Sequence, residues 1–132
     1  MLGLTKRRNF VNEIEKVVNT DPNTIENETP YNELSKRFIK EINKYFRAIA
    51  KENDWSLINK SHSFCGYYCY FRSGDYFIYV SISDFRFWNW HEVLYRTARN
   101  ERDYTGGGNN YCDLINLEEH LIELFEKVKE EY

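Results

Sequence analysis

The sequence predicts an α+β fold: an antiparallel sheet of three to four strands packed with a long helix before it and a helix after it, plus a short N-terminal helix. Three observations lead there. Apolar residues recur at helical spacing over residues 30–52 and again over 114–132. Between these segments, from Trp55 onward, aromatic and β-branched runs are divided by turn residues, the pattern of strands. The chain has 132 residues, 17% of them aromatic, enough to bury one core without a disulfide or metal staple.

Taken in order, residues 4–18 form a short helix with Leu4, Val11, Ile14 and Val18 on one side. Residues 19–29 are polar and read as a linker within a single domain spanning 1–132. Thr29 then caps a helix that Pro30 opens, since the missing proline N–H would be unpaired at that position anyway. Tyr31, Leu34, Phe38, Ile42, Tyr45, Phe46 and Ile49 make its apolar stripe. Trp55–Lys60 reads as a first strand, and Gly66–Arg72 and Tyr76–Phe87 flank the turn Ser73-Gly74-Asp75. With three residues in that turn, Tyr70 faces Ile78 and Tyr68 faces Val80, while Phe71 meets Phe77 and Cys69 meets Tyr79 on the other side. The side with Ile78, Val80 and Ile82 is core. The second side (Tyr67, Phe71, Phe77, Tyr79) is aromatic too and calls for a cover, a helix of this chain or a partner. Such a face can also stack bases, although no RNP1-like run is present.

Residues 88–99 fit two patterns. Asn89 and Glu92 form a capping box ahead of Trp90, Val93, Leu94 and Ala98, whereas Val93–Thr97 has strand composition; the strand is the reading taken. The last helix, 114–132, has Leu114, Leu117, Leu121, Leu124, Phe125 and Val128 on its apolar side.

The formal charge of −3 argues against strong nonspecific nucleic-acid binding. Residues 1–8 lack the apolar run of a signal peptide, and no apolar run is long enough to span a membrane, so a cytoplasmic protein is expected. Three cysteines fit no disulfide framework and read as reduced thiols. His62, His91 and His120 have no partners at zinc-ligand spacing, so neither metal nor cofactor is expected. No catalytic residue stands out, and the sequence reads as non-enzymatic.

Three constellations are candidate contact surfaces. Residues 96–113 combine Arg96, Arg99 and Arg102 with Thr105, Gly106, Gly107, Gly108 and Asn109, a loop able to present N–H groups to an anion or nucleotide. It matches neither the Walker A nor the dinucleotide-binding pattern. The plainer reading is a glycine turn with Asp103 tied to a nearby arginine, Asp84, Arg86, Arg96 and Asp103 forming one charge network. Lys36, Lys40, Lys44, Arg47 and Lys51 form a basic stripe on helix 30–52, and Glu119, Glu123, Glu126 and Glu130 an acidic stripe on the last helix. The basic stripe can follow a nucleic-acid backbone; the acidic one can occupy a basic groove on another protein.

Phe, Tyr, Met, Ile, Asn and Lys total 54 residues against 20 for Gly, Ala, Arg and Pro, the usage of an AT-rich bacterial or phage genome. At SISDFRFW, LYRTA and DYTGGGNNY, within residues 76–112, the chain resembles a loose group of small proteins of phages and mobile elements. Anti-CRISPR and other anti-defence proteins are among them. The resemblance implies a phage or mobile-element inhibitor that binds a host defence protein, such as a CRISPR effector nuclease, and blocks its nucleic-acid groove. It assigns no functional residue. The alternative is a nucleotide or nucleic-acid binder using the Arg96–Asn110 loop. The helix–strands–helix order is also similar to double-stranded-RNA-binding domains, but Asn109–Asp113 holds no lysine of the kind their basic loop uses.

Overall fold

The computed structural model describes residues 4–88 and 91–131, with residues 4–6 and 131 described by their backbone alone. The chain has the expected α+β fold. Helices α1 (Leu4–Val18) and α2 (Pro30–Glu52) precede five strands, β1 (Ser56–Ser63), β2 (Gly66–Ser73), β3 (Tyr76–Ile82), β4 (Val93–Ala98) and β5 (Asn110–Cys112), and α3 (Leu117–Glu131) follows. The strands pair in sequence order as an antiparallel meander.

Each helix forms for the reason its pattern gives. The α2 stripe is fully buried from Leu34 to Ile49, and Leu117, Leu121 and Phe125 bury the matching side of α3. Thr29 sits at the N-cap of α2 without capping it: its side-chain hydroxyl donates to Asn27 Oδ1 instead. The helix end is closed by Asn53, whose backbone N–H and side-chain amide both donate to the Ile49 carbonyl. Residues 114–116 form a 3-10 turn, so α3 begins three residues later than its apolar pattern suggests.

The hairpin register differs by one residue from the sequence reading. Ser73 pairs with Tyr76, leaving a two-residue turn, Gly74-Asp75, with Gly74 at φ 60°. Phe71 therefore faces Ile78, and Cys69 faces Val80, while Tyr70 faces Tyr79 and Tyr68 faces Ser81. Because side chains alternate along a strand, that single step exchanges the faces of all of β2. Tyr67, Cys69 and Phe71 join the core with Ile78, Val80 and Ile82. Tyr68 and Tyr70 move to the opposite face with Phe77 and Tyr79.

Residues 93–98 are a strand, as read; the capping box at Asn89 and the apolar position of Trp90 lie outside the described residues. The long strand ends at Ile82 instead of Phe87. Asp84 turns the chain by accepting from the Arg86 N–H, and residues 85–87 form a 3-10 turn. The fifth strand is one the sequence does not announce.

The helices α2 and α3 pack on the same face of the sheet, α2 on β1 and β2 and α3 on β3 and β4, while α1 packs on α2. Among the described residues no helix covers the other face, which is called the outer face below.

Candidate functional site

The outer face is built by alternation. Tyr68 and Tyr70 come from β2, Phe77, Tyr79 and Ser81 from β3, Leu94 and Arg96 from β4, and Tyr111 from β5. The expected helical cover is absent there among the described residues. In its place the 99–109 loop straps across the face. Its Glu101 carbonyl accepts from the Asn59 side-chain amide at 2.6 Å, on the far edge strand β1, where Asn59 sits at φ 49° in a bulge. Tyr104 inserts between the rings of Tyr68, Tyr70 and Tyr79, with centroids at 6.0, 6.0 and 5.9 Å, all edge-on. Tyr70 is thereby fully buried, whereas Tyr104 stays 49% exposed and Tyr111 40%.

Asp103 organises the strap. Its carboxylate accepts from the Arg99 N–H at 3.0 Å, from Arg99 Nε at 2.9 Å and from the Thr105 N–H at 3.1 Å. The Arg99 guanidinium, followed by these N–H donors, holds the carboxyl well below the usual carboxylate range. Gly106 lies against that carboxylate, and Gly107 turns at φ 54° so close to β4 that a Cβ there would meet the Thr97 carbonyl oxygen at 2.8 Å. The anion that this arginine–glycine loop cradles is thus its own: Arg99 and the backbone donors serve Asp103. Arg96 is separate, with its guanidinium 4.7 Å from the Tyr79 ring centre and Nη1 donating to Asn109 Oδ1. The Asp84–Arg86 pair is separate again, a local fork beside Tyr31, Phe64 and Phe87, so the single charge network read from sequence is three distinct arrangements.

The depressed carboxyl makes the strap's pH response predictable. A carboxylate whose folded-state value lies below the unfolded one adds its full stability above the unfolded value, and that stability falls progressively as pH drops from there through the folded one. The Asp103 contribution to the strap is therefore expected to be complete at neutral pH and to weaken progressively once pH falls into and below the ordinary carboxylate range. Asp103→Asn should open it at neutral pH, seen as faster hydrogen exchange at the Arg99 and Thr105 amides. Unchanged exchange in that variant would show that Asp103 does not hold the strap.

Two polar atoms beneath the strap stand out. Tyr70 Oη and Arg96 Nε are buried and make no hydrogen bond among the described residues. They flank Tyr79 from β2 and β4. Burial raises the Tyr70 phenol above its ordinary value, so it stays a neutral hydroxyl.

The two helical stripes are where the sequence places them. Lys36, Lys40, Lys44, Arg47 and Lys51 are exposed on α2, but acidic residues interleave: Lys44 pairs with Glu41. The open groove of about 810 Å³ between α1 and α2 mixes Lys44 and Lys51 with Glu13, Glu41 and Glu52. Glu119, Glu123, Glu126 and Glu130 are exposed on α3, Glu119 in contact with Arg7 at 3.0 Å. Cys65, Cys69 and Cys112 are free and buried, and burial raises all three thiols, Cys112 to about 12, so none is a ready nucleophile. His120 Nδ1 lies 3.0 Å from the Tyr95 hydroxyl on the core side. Among the described residues no cluster of three or more metal-ligating side chains occurs, and no helix is long and apolar enough to cross a membrane.

The sequence singles out the loop arginines and glycines but misses Tyr68, Tyr70, Tyr104 and Tyr111. The one-residue register slip hides the first two. Tyr104 and Tyr111 sit outside any periodic run, and only the strap and the short fifth strand bring them to the face. No family model, curated protein or solved structure matches this chain.

Proposed function

We propose that the protein is a non-enzymatic inhibitor that binds a host protein through α3, with a defence nuclease such as a CRISPR effector the class of partner. The observation that carries this reading is the placement of Glu119, Glu123, Glu126 and Glu130 on the solvent side of a helix whose opposite side is locked into the core. At about 1.5 Å per residue the row runs about 16 Å. Such a rigid line of carboxylates is complementary to a basic groove built for nucleic acid, and it speeds encounter with one. The sheet's arginines lie on the opposite layer, so they do not neutralise it. The resemblance at residues 76–112 supplies the biological setting and the buried thiols fit a binding role.

The test is capture of a purified CRISPR effector nuclease by the tagged protein after nuclease treatment, compared with a variant in which Glu123, Glu126 and Glu130 are changed to lysine, Glu119 being kept because it pairs with the buried Arg7. The wild-type protein should retain the nuclease and reduce its cleavage of DNA. The reversed variant should lose both while keeping its circular dichroism and melting temperature. Equal capture by the two proteins would remove α3 as the contact.

A further inference from the structure

We propose that the outer face of the sheet binds single-stranded nucleic acid, and that Tyr104 holds the place a base takes when the strap lifts. This goes beyond the protein contact assigned to α3 and uses the opposite layer of the molecule.

The argument starts from the two donors under the strap. A buried hydroxyl or guanidinium N–H left without an acceptor is unfavourable, and native structures rarely keep one without a reason. Here two lie on one face, on either side of the Tyr79 ring, and the group packed above Tyr70 is the aromatic ring of Tyr104. A ring fills the cup formed by Tyr68, Tyr70 and Tyr79 but brings no acceptor to Tyr70 Oη. A nucleobase fills the same space with a π-face for the tyrosines and edge oxygens and nitrogens for the hydroxyl. Its phosphate supplies the acceptor that Arg96 Nε lacks.

The surroundings suit a strand. The face carries rings at both ends, Tyr68, Tyr70 and Tyr79 on β2 and β3 and Tyr111 on β5, with Leu94 and Arg96 of β4 between them, and β2 to β5 is three inter-strand spacings of about 4.8 Å, or about 14 Å. Sheet platforms that stack two or three bases use the same architecture. The charge beside the rings is basic: Arg96 and Arg72 lie on the face, and Arg99, although paired with Asp103, keeps its side chain 80% exposed at the strap's start. The Arg96 guanidinium on the Tyr79 ring shows that the ring already accepts a planar group.

The experiment is fluorescence anisotropy of the full chain with a labelled unstructured oligonucleotide of about 12 residues, as DNA and as RNA. Wild-type protein should bind at 50 mM salt, with affinity falling roughly 20-fold by 200 mM for about three phosphate contacts. Arg96→Gln should weaken binding at least fivefold. Tyr70→Phe should weaken it at least threefold while leaving the melting temperature equal or higher, an outcome a merely structural hydroxyl would not give. Tyr104→Ala should tighten binding, because it removes the internal occupant. No binding at 50 mM salt, or wild-type affinity in both Arg96→Gln and Tyr70→Phe, overturns the proposal. So does displacement of the strand by polyglutamate with direct polyglutamate binding, which would mark an acidic-protein site, or equal affinity for a mononucleotide. The variant with Glu123, Glu126 and Glu130 reversed should keep oligonucleotide binding, so loss of one function leaves the other readable.

Discussion

Replacing Arg7 with alanine is expected to destabilise the protein by about 3–5 kcal/mol, a third or more of a typical domain's stability. Arg7 is 4% exposed, and its guanidinium lies 3.1 Å from the carboxylate of Glu118, which is fully buried. The same carboxylate accepts from the Asn53 amide at 2.8 Å at the end of α2. Ion pairs of Arg7 with Glu118 and Glu119 therefore tie α1 to α3, and the amide ties Glu118 to α2. Removing the guanidinium takes the opposite charge from a carboxylate held away from water, and the desolvation that the pair offset is then uncompensated. Urea unfolding followed by tryptophan fluorescence measures the effect. Glu13→Ala, which breaks the exposed pair with Lys16, is the control and should cost less than about 0.5 kcal/mol. Arg7→Met with Glu118→Leu should recover most of the loss, since replacing both residues leaves neither charge buried without the other. A cost for Arg7→Ala no larger than that of Glu13→Ala would show that the pair does not hold the helical layer together.

The helices were legible because their burial is one-sided and long. The α2 stripe alone has seven members, and the ends of α1 and α2 fall where the pattern places them. The sheet was legible as strands but not in register. Register depends on whether Ser73 belongs to the turn or the ladder, and serine suits both; the aromatic residues on each side of β2 gave the alternation no polar face to settle it. The fifth strand, Asn110–Cys112, is too short to carry a period. The site failed for a related reason. A pair between Asp103 and a nearby arginine was legible because such partners are close in sequence, and the structure makes that arginine Arg99, whereas the Tyr104 contacts with Tyr68, Tyr70 and Tyr79 span the sheet. What the 99–109 loop does depends on where it lies, and that follows from Asn59 in the β1 bulge, more than forty residues earlier.

Phe71→Ala is expected to cost about 3–5 kcal/mol, and the equivalent change at Phe77 about 1 kcal/mol, within the ordinary range for a partly exposed residue. Phe71 is fully buried between Phe46 of α2, with ring centroids at 5.5 Å, and Trp55, at 6.1 Å. Its loss leaves a cavity where α2 meets the sheet, and the surrounding aromatic rings are too rigid to collapse into it. Phe77 is one strand over on the outer face, opposite Arg72, whose guanidinium lies 5.4 Å from its ring centre. With Ser73 in the turn, the two phenylalanines would share one face and have similar burial. With Ser73 in the ladder, they lie on opposite faces and the costs separate. Thermal or urea unfolding of the two variants thus reads the register without any knowledge of function. A large gap keeps Tyr70 on the outer face beneath Tyr104, where the orphaned hydroxyl gives the strand proposal its footing. Equal costs would return Tyr70 to the core, and the case for a base at that position would fall with the register.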